Sequence, residues 1–146
     1  MVNSSSKYTC AIARSVNLLG DKWSLLILRD IILHKKSRFK EFRSSKEKIA
    51  TNILTNRLGF LLKEGFIEKI TPLGTKKSTR YISLDKGISA LPIIIELYLF
   101  SIHSIEESIL DDSQITIKNA LISDHKLFQE KRIEEYLVFA EELRAL

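Results

Sequence analysis

The chain has 146 residues, of which 45% are hydrophobic and 28% are charged, and its formal net charge is +5. This size and balance are typical of one soluble globular domain and exclude wholesale disorder. The single cysteine, Cys10, excludes an intramolecular disulfide and a multi-cysteine metal cluster. Residues 1–9 are polar and do not resemble the apolar core of a signal peptide, so we expect a cytoplasmic protein.

Charge is distributed unevenly along the chain. Residues 1–90 contain 18 Lys+Arg and 7 Asp+Glu, a net charge of +11, whereas residues 91–146 carry a net charge of −6. Seven of the basic residues lie between Lys35 and Lys48. This asymmetry favours a basic half that binds a polyanion over a chance distribution of solvated charges.

Three helices are predicted before residue 45. A flexible polar tail covers residues 1–8, and the first helix covers residues 12–19 and ends at Gly20. Asp21 is a favourable N-cap for a second helix that continues to about residue 33. A short third helix is predicted over residues 38–43.

The fourth predicted helix, residues 51–64, carries the clearest functional signal. On a 3.6-residue period its leucines share one face and a polar set occupies the other. Asparagine can bond adenine bidentately in the major groove, and threonine offers a hydroxyl and a methyl group. Gly59 costs roughly 1 kcal/mol relative to alanine in a helix, and a close approach of the backbone to DNA would explain it. The alternative is an ordinary solvated face. The polar set is Asn52, Thr55, Asn56, Gly59 and Lys63.

A hairpin is predicted after this helix. Residues 66–71 and 80–84 have strand character, and the loop between them contains Pro72, Gly74 and two lysines. A polar helix followed by a two-stranded hairpin is the order found in winged-helix proteins. The basic loop suits contact with phosphates or the minor groove.

An apolar helix is predicted to begin near Ile88, with Asp85 as its cap. Residues 90–105 are almost all apolar, but this run is shorter than the roughly 20 residues of a membrane span and contains Pro92, so we expect no membrane contact. One small core cannot bury every side of such a helix, which favours a homodimer. The alternative is that the acidic C-terminal segment of the same chain covers the remaining apolar side of this helix. The expected dimer residues are Ile12, Val16, Ile94, Leu97, Tyr98 and Ile105.

The predicted fold class is α+β, mainly α. We expect a winged helix-turn-helix domain over residues 9–110, including a two-stranded wing and the dimerisation helix, and a C-terminal helical extension over residues 111–146. No catalytic, cofactor or metal motif is recognisable, and the three histidines lack metal-ligand spacing, so we expect neither an enzyme nor a cofactor.

Double-stranded DNA is the partner that these features favour. One alternative is a winged-helix module that binds an acidic protein, and another is a redox switch that acts through Cys10. We expect three residues, Asn52, Thr55 and Asn56, to contact bases, and the remaining residues of the DNA-binding set to contact phosphates or the minor groove. The full expected set is Arg38, Lys40, Thr51, Asn52, Thr55, Asn56, Arg57, Lys63, Lys76, Lys77 and Arg80.

Six sequence blocks add a resemblance to a known family. They read CAIAR at 10–14, LLGDKW at 18–23, LLILRD at 25–30, RFKEF at 38–42, LTNRL at 54–58 (with Ile49 before it) and LKEGFIEK at 62–69. Together they resemble the HxlR family of bacterial and archaeal winged-helix regulators, which are relatives of the MarR group. The resemblance covers roughly residues 8–101 and implies a dimer that binds a palindromic operator as a repressor or activator.

The chain departs from the family pattern at several positions. Ala11 stands where the family usually has proline after the cysteine. Ala50 and Thr51 replace the usual Ser-Pro pair, which weakens the N-cap of the recognition helix. Residues 81–84 depart from the usual end of the wing, and residues after about 111 exceed the common family length.

Cys10 has two interpretations. In some proteins of the resembled family, a cysteine at the start of the first helix senses oxidants or electrophiles. A helix N-terminus favours the thiolate, and Lys7 and Arg14 would add to that effect. The alternative is a small buried hydrophobic side chain. The sequence identifies no small-molecule effector.

Overall fold

A computed structural model describes residues 9–104 and 109–146. Strands β1 and β2 pair antiparallel, with Ile67 opposite Ser83 and Ile70 opposite Arg80. The predicted element order and winged-helix fold are confirmed. The elements are α1 Ala11–Leu19, α2 Lys22–His34, α3 Phe39–Arg43, α4 Thr51–Lys63, β1 Ile67–Ile70, a 3₁₀ turn Lys76–Ser78, β2 Arg80–Ser83, α5 Asp85–Ile88, α6 Leu91–Ser104 and α7 Asp112–Arg144.

Local capping explains where α2 begins and where α4 ends. Asp21 caps α2 as predicted, because its Oδ2 accepts a hydrogen bond from the Ser24 N–H at 2.8 Å. After α4, Gly65 adopts a φ of 77°, a left-handed conformation that glycine tolerates best. The Phe66 N–H then donates to the Leu61 carbonyl at 2.9 Å. The chain thereby turns from α4 directly into β1.

The expected cap of the long apolar helix is wrong. Asp85 is the first residue of α5, and two turn residues separate α5 from α6. Pro92 lies in the first turn of α6, where its missing N–H removes no helical hydrogen bond. A new helix therefore begins at Leu91 instead of continuing from Asp85.

One hydrophobic core joins the winged helix and the C-terminal helix. Buried residues of α2, α4, the two strands and α6 form one cluster, to which α7 also contributes. The boundary expected near residue 110 therefore does not coincide with a break in packing. The buried residues of α7 are Ile117, Leu121, Phe128, Tyr136, Ala140 and Leu143.

Polar contacts fix the position of α7. Its backbone is non-helical at Asp124 (φ −163°, ψ 96°), and the carboxylate of this residue caps the following turn. Beyond this point, Tyr136 Oη accepts a hydrogen bond from the Ser83 N–H at 2.8 Å. Arg132 Nη1 donates to the Leu33 carbonyl at 3.1 Å, and Arg144 pairs with Glu68 at 2.8 Å. The helix thus contacts α2 and both strands of the wing.

The stretch Asp85–Ser104 has 20 residues, and an 18-residue window within it has a mean hydropathy of 1.4, so its length and composition would allow it to cross a membrane. Core helices of water-soluble proteins meet the same criterion. In this structure Leu91, Ile94 and Ile95 belong to the buried cluster. Burial of one side of α6 against α2 and α7 accounts for part of its apolar character.

The structure divides the expected dimer residues into two groups. Ile12, Val16 and Leu97 expose 75%, 60% and 48% of their surface. Ile94 is 8% exposed and lies in the chain's own core, and the Tyr98 hydroxyl donates to the Gln114 carbonyl of α7. The expectation that these two side chains face a partner is therefore corrected, because α7 covers this side of α6. Ile105 lies outside the described residues.

Candidate nucleic-acid interface

Helix α4 presents the two faces that its period predicts. Leu54, Leu58 and Leu61 are buried against the rest of the domain, where α4 contacts α2, α3 and β1. Thr51 and the opposite residues Asn52, Thr55, Asn56, Gly59 and Lys63 are all exposed. The buried leucine face therefore holds a polar, solvent-accessible face outward.

The polar side chains of α4 differ in what they can offer a base. Asn52 is exposed, and its side chain has no hydrogen-bond partner within the described part of the chain. The Thr55 hydroxyl donates to the Thr51 carbonyl at 3.0 Å, which leaves its oxygen lone pair and methyl group outward. The Asn56 Oδ1 accepts from the Arg57 Nε and Nη2 at 3.0 and 2.7 Å. To bond adenine bidentately, the side-chain carbonyl of Asn56 must therefore accept from the base as well as from Arg57, or lose its bonds to Arg57.

Arg57 makes contacts within the chain that a side chain free to bind phosphate would not be expected to make. Its side chain is 25% exposed, and Nη1 lies 3.7 Å from Asp21 Oδ2. Its guanidinium also lies 4.8 Å from the centre of the Phe60 ring. The Asp21 contact joins α4 to the start of α2, and the Phe60 contact lies within α4, so Arg57 positions the recognition helix in this structure.

The N-terminus of α4 lacks a side-chain cap, because its N-cap residue is Ala50. The first intrahelical bond is made by the Leu54 N–H, which donates to the Ala50 carbonyl at 2.9 Å. The N–H groups of the preceding helical residues can therefore bind water or a phosphate, and the helix dipole favours an anion there. The predicted weak N-cap is thus confirmed.

The wing presents two of its three expected cations. Lys76 and Lys77 are exposed on the 3₁₀ turn at the tip. Arg80 is only 8% exposed, and its Nη1 donates to the Ser78 and Thr79 carbonyls at 2.9 and 3.3 Å. The expectation that Arg80 contacts DNA is corrected, because its guanidinium is buried and hydrogen-bonded to carbonyl groups of the hairpin itself.

A backbone contact brings the start of α3 beside the wing. The Tyr81 N–H donates to the Ser37 carbonyl at 2.8 Å. Burial lowers the pKa of Arg80, and the nearby positive charge of Arg38 adds to this effect, while Glu41 opposes it. Arg38 is half-buried and Lys40 is exposed. The start of α3, which carries Arg38 and Lys40, therefore lies beside the wing, which carries Lys76 and Lys77.

The basic stretch between residues 35 and 48 contains both paired and unassigned cations. Lys36 lies 3.4 Å from Asp30, and Lys46 pairs with Asp111. Arg43 and Lys48 are exposed near α4, but the residue-by-residue prediction did not include them. The signal for both was present in the local charge count, which does not show which cations have carboxylate partners.

Gly59 lies in open space on the outer face of α4. A Cβ placed there meets no heavy atom of the described chain within 4 Å. The glycine is therefore not required for packing of this helix within the protein. That observation agrees with a role in contact with a molecule outside the chain.

Cys10 is the N-cap residue of α1 and is exposed. Its side chain makes no capping hydrogen bond, and the nearby backbone N–H groups of Ala13 and Ile12 favour the thiolate and so lower the pKa of its thiol. The interpretation of Cys10 as a buried hydrophobic residue is therefore wrong. Within the described residues no group of three or more His, Cys, Asp or Glu could hold a metal ion.

The helices α2 to α4 and the antiparallel hairpin that follows them define a winged helix-turn-helix protein with an exposed polar recognition helix. A model of the HxlR-like helix-turn-helix family matches residues 18–108. The chain belongs to this family, and it is a transcriptional regulator of the helix-turn-helix type.

Individual relatives agree with this assignment. An uncharacterised HTH-type transcriptional regulator of Methanothermobacter thermautotrophicus is 31% identical over 88 residues, which span 60% of this chain and 66% of that protein. The uncharacterised HTH-type transcriptional regulator YvaP of Bacillus subtilis is 28% identical over 67% of this chain and 90% of its own length.

Solved structures show the same fold. The crystal structure of PA1607 superposes with a TM-score of 0.64, with 28% identity over 75% of each chain. The reduced form of the transcriptional regulator YodB from B. subtilis has a TM-score of 0.53 and 24% identity, over 68% of this chain and 97% of that one.

Proposed function

We propose that this cytoplasmic regulator binds a palindromic duplex operator as a homodimer and thereby represses or activates transcription. The observation that carries the proposal is the outer face of α4, which is polar, exposed and opposite a fully buried row of leucines. In this arrangement α4 enters the major groove and the wing contacts the adjacent backbone or minor groove.

The contacts divide into two kinds. Asn52, Thr55 and Asn56 read base edges, and Asn56 does so after its carbonyl is shared with or released from Arg57. The remaining residues contact phosphates, which the lysines and arginines neutralise and Thr51 binds by hydrogen bonding, and they set the register of the protein on the duplex. This second group comprises Arg38, Lys40, Thr51, Lys63, Lys76 and Lys77, and we add Arg43 and Lys48 to it because both are exposed.

The test begins with duplex fragments selected from genomic DNA by the purified full chain. Asn52→Ala is expected to weaken binding to the best fragment by about 1–3 kcal/mol and to affect random duplex much less. Asn119→Ala, which changes an exposed asparagine on α7, is the matched control and leaves both affinities unchanged. Equal losses on both duplexes would contradict base reading by Asn52. Failure to bind any duplex, with retained binding to an acidic protein, would favour the protein-interaction alternative.

The homodimer is supported by apolar side chains that the chain leaves exposed. Ile12 and Val16 of α1 and Leu97 and Phe100 of α6 are large, apolar and accessible to solvent. Burying such surface is worth about 25 cal/mol per Å², and a two-fold dimer would place two recognition helices about 34 Å apart. Light scattering at low micromolar concentration without DNA is expected to give about twice the 16.8 kDa chain mass. The single-chain mass would refute the dimer.

A thiol switch at Cys10 is a second proposal. Its support is the exposed thiol at the start of α1, whose pKa the N–H groups of the first turn lower. We expect a thiol-directed reagent at pH 7 to label Cys10 faster than it labels free cysteine. An oxidant is expected to change operator affinity in the parent but not in Cys10→Ser. Slow labelling, or the same response in both proteins, would contradict the switch.

A further inference from the structure

A cleft of about 570 Å³ lies between α2, the connection from α3 to α4, α6 and the start of α7. Leu26, Ile94 and Leu97 supply apolar wall, while Ser101 and Gln114 supply groups that can form hydrogen bonds. The volume falls within the roughly 300–1,000 Å³ of sites that bind small organic molecules. None of its lining residues belongs to α4.

The inner end of the cleft approaches the hydrophobic core. A smaller cavity of about 40 Å³ shares Ile94 and Tyr98 with the cleft as lining residues. Arg29, His34 and Gln114 also line both spaces, and the residues that line only the smaller cavity are all aliphatic or aromatic. They are Leu33, Ile95, Ile117, Leu121 and Phe128. An apolar group that enters the cleft from solvent would therefore meet increasingly apolar surroundings.

The ionic groups that line the cleft neutralise one another. Arg29 Nη2 lies 2.8 Å from Asp30 and 2.7 Å from Glu47, and Lys36 lies 3.4 Å from Asp30. Lys46 pairs with Asp111. His34 also lines the cleft, and although part of its surface is exposed, partial desolvation lowers the pKa of its imidazole. A charged ligand would have to disrupt one of these pairs, whereas an uncharged ligand would leave them intact.

The walls connect the cleft to two functional parts of the chain. Residues 44–47 line it and lead into α4, and Arg29 holds Glu47 of this connection through two hydrogen bonds. The opposite wall includes Asp111 and Gln114, which lie beyond the segment matched by the family model. Part of the cleft is therefore built from sequence outside the family match.

We propose that this cleft is a regulatory site for a small uncharged molecule with an apolar ring and one or more hydrogen-bonding groups. The ring packs between α2 and α6, and its polar groups bond to Ser101 and Gln114. An occupant that contacts residues 44–47 shifts the position of α4 and thus operator affinity. Ligand binding to the cleft does not require that the proposed DNA binding be correct.

The test uses two fluorescent probes that differ by one sulfonate group. N-phenyl-1-naphthylamine is uncharged, and 8-anilinonaphthalene-1-sulfonate has the same ring system with an added sulfonate. With the full chain and no DNA, we expect saturable binding of one uncharged probe per chain. We expect the sulfonated probe to bind about tenfold more weakly, equivalent to about 1.4 kcal/mol.

Two serines of α6 supply a matched pair of variants. Ser101→Trp fills the cleft and is expected to abolish probe binding, while Ser104→Trp lies outside the lining and leaves binding unchanged. Circular dichroism checks the fold, and Ser113→Trp at the opposite wall replaces Ser101→Trp if that variant does not fold. Parent-like binding by the folded cleft variant, tighter binding of the sulfonated probe, or no saturable binding would overturn the site. Probe binding that leaves operator affinity unchanged would overturn its regulatory role.

Discussion

Gly59→Ala is expected to stabilise the free protein. A Cβ at this position meets no described heavy atom within 4 Å, so the methyl group creates no clash. Alanine is favoured over glycine in a helix interior by about 1 kcal/mol. For a chain of this size, that gain corresponds to a rise in Tm of about 2–4 °C. Urea denaturation and calorimetry measure both quantities.

The same substitution is expected to weaken operator binding. Gly59 shares the outer face of α4 with Asn52 and Asn56, and a methyl group between the helix backbone and DNA would cost about 1–3 kcal/mol of overpacking. Fluorescence anisotropy with the selected operator measures this loss. A variant that is more stable and yet binds DNA less tightly separates the role of this glycine in recognition from its effect on folding.

Gly87→Ala supplies the contrast for the stability measurement. There a Cβ would lie 2.2 Å from Ser83 Oγ and 2.6 Å from the Phe66 carbonyl oxygen, so we expect a loss of stability of about 1–3 kcal/mol. If Gly59→Ala binds the operator as tightly as the parent, the backbone of α4 does not approach DNA closely at this position. That result would refute the interpretation of Gly59.

Three further predictions concern the C-terminal helix and the wing. Tyr136→Phe leaves the buried Ser83 N–H without its acceptor and is expected to lower the free energy of unfolding in urea by about 1–3 kcal/mol. Tyr81→Phe is the control, because the Tyr81 hydroxyl has no contact in the described chain, and it is expected to cost less than about 0.5 kcal/mol. Burial raises the pKa of Tyr136 to about 12, above its usual 10. The stability that the neutral hydroxyl provides is therefore complete below pH 10 and decreases as pH rises toward 12. The Phe variant has no hydroxyl and lacks this pH-dependent loss of stability. Changing both Lys76 and Lys77 to alanine is expected to flatten the slope of log affinity against log salt concentration by about 0.9 for each lost phosphate contact. Sequence preference is expected to stay the same. A slope near zero for the parent protein would contradict DNA binding altogether.

Local sequence determined the helices and the two faces of α4. The 3.6-residue spacing of Leu54, Leu58 and Leu61 requires only that a helix form, and it places the intervening polar residues on the other side. Asp21 and Gly65 likewise act on backbone groups within a few residues of themselves. Such contacts depend on spacing along the chain, so the sequence alone was sufficient to predict them.

Tertiary structure decided which of these groups remain available to a partner. Arg80 and Lys76 are both basic wing residues, yet the guanidinium of Arg80 is enclosed by hairpin carbonyls while Lys76 is exposed. Tyr136 reaches Ser83 across 53 residues of sequence, and through such contacts α7 becomes part of the core. Burial and ion pairing depend on which distant segments meet in space, and neither charge count nor periodicity specifies those meetings.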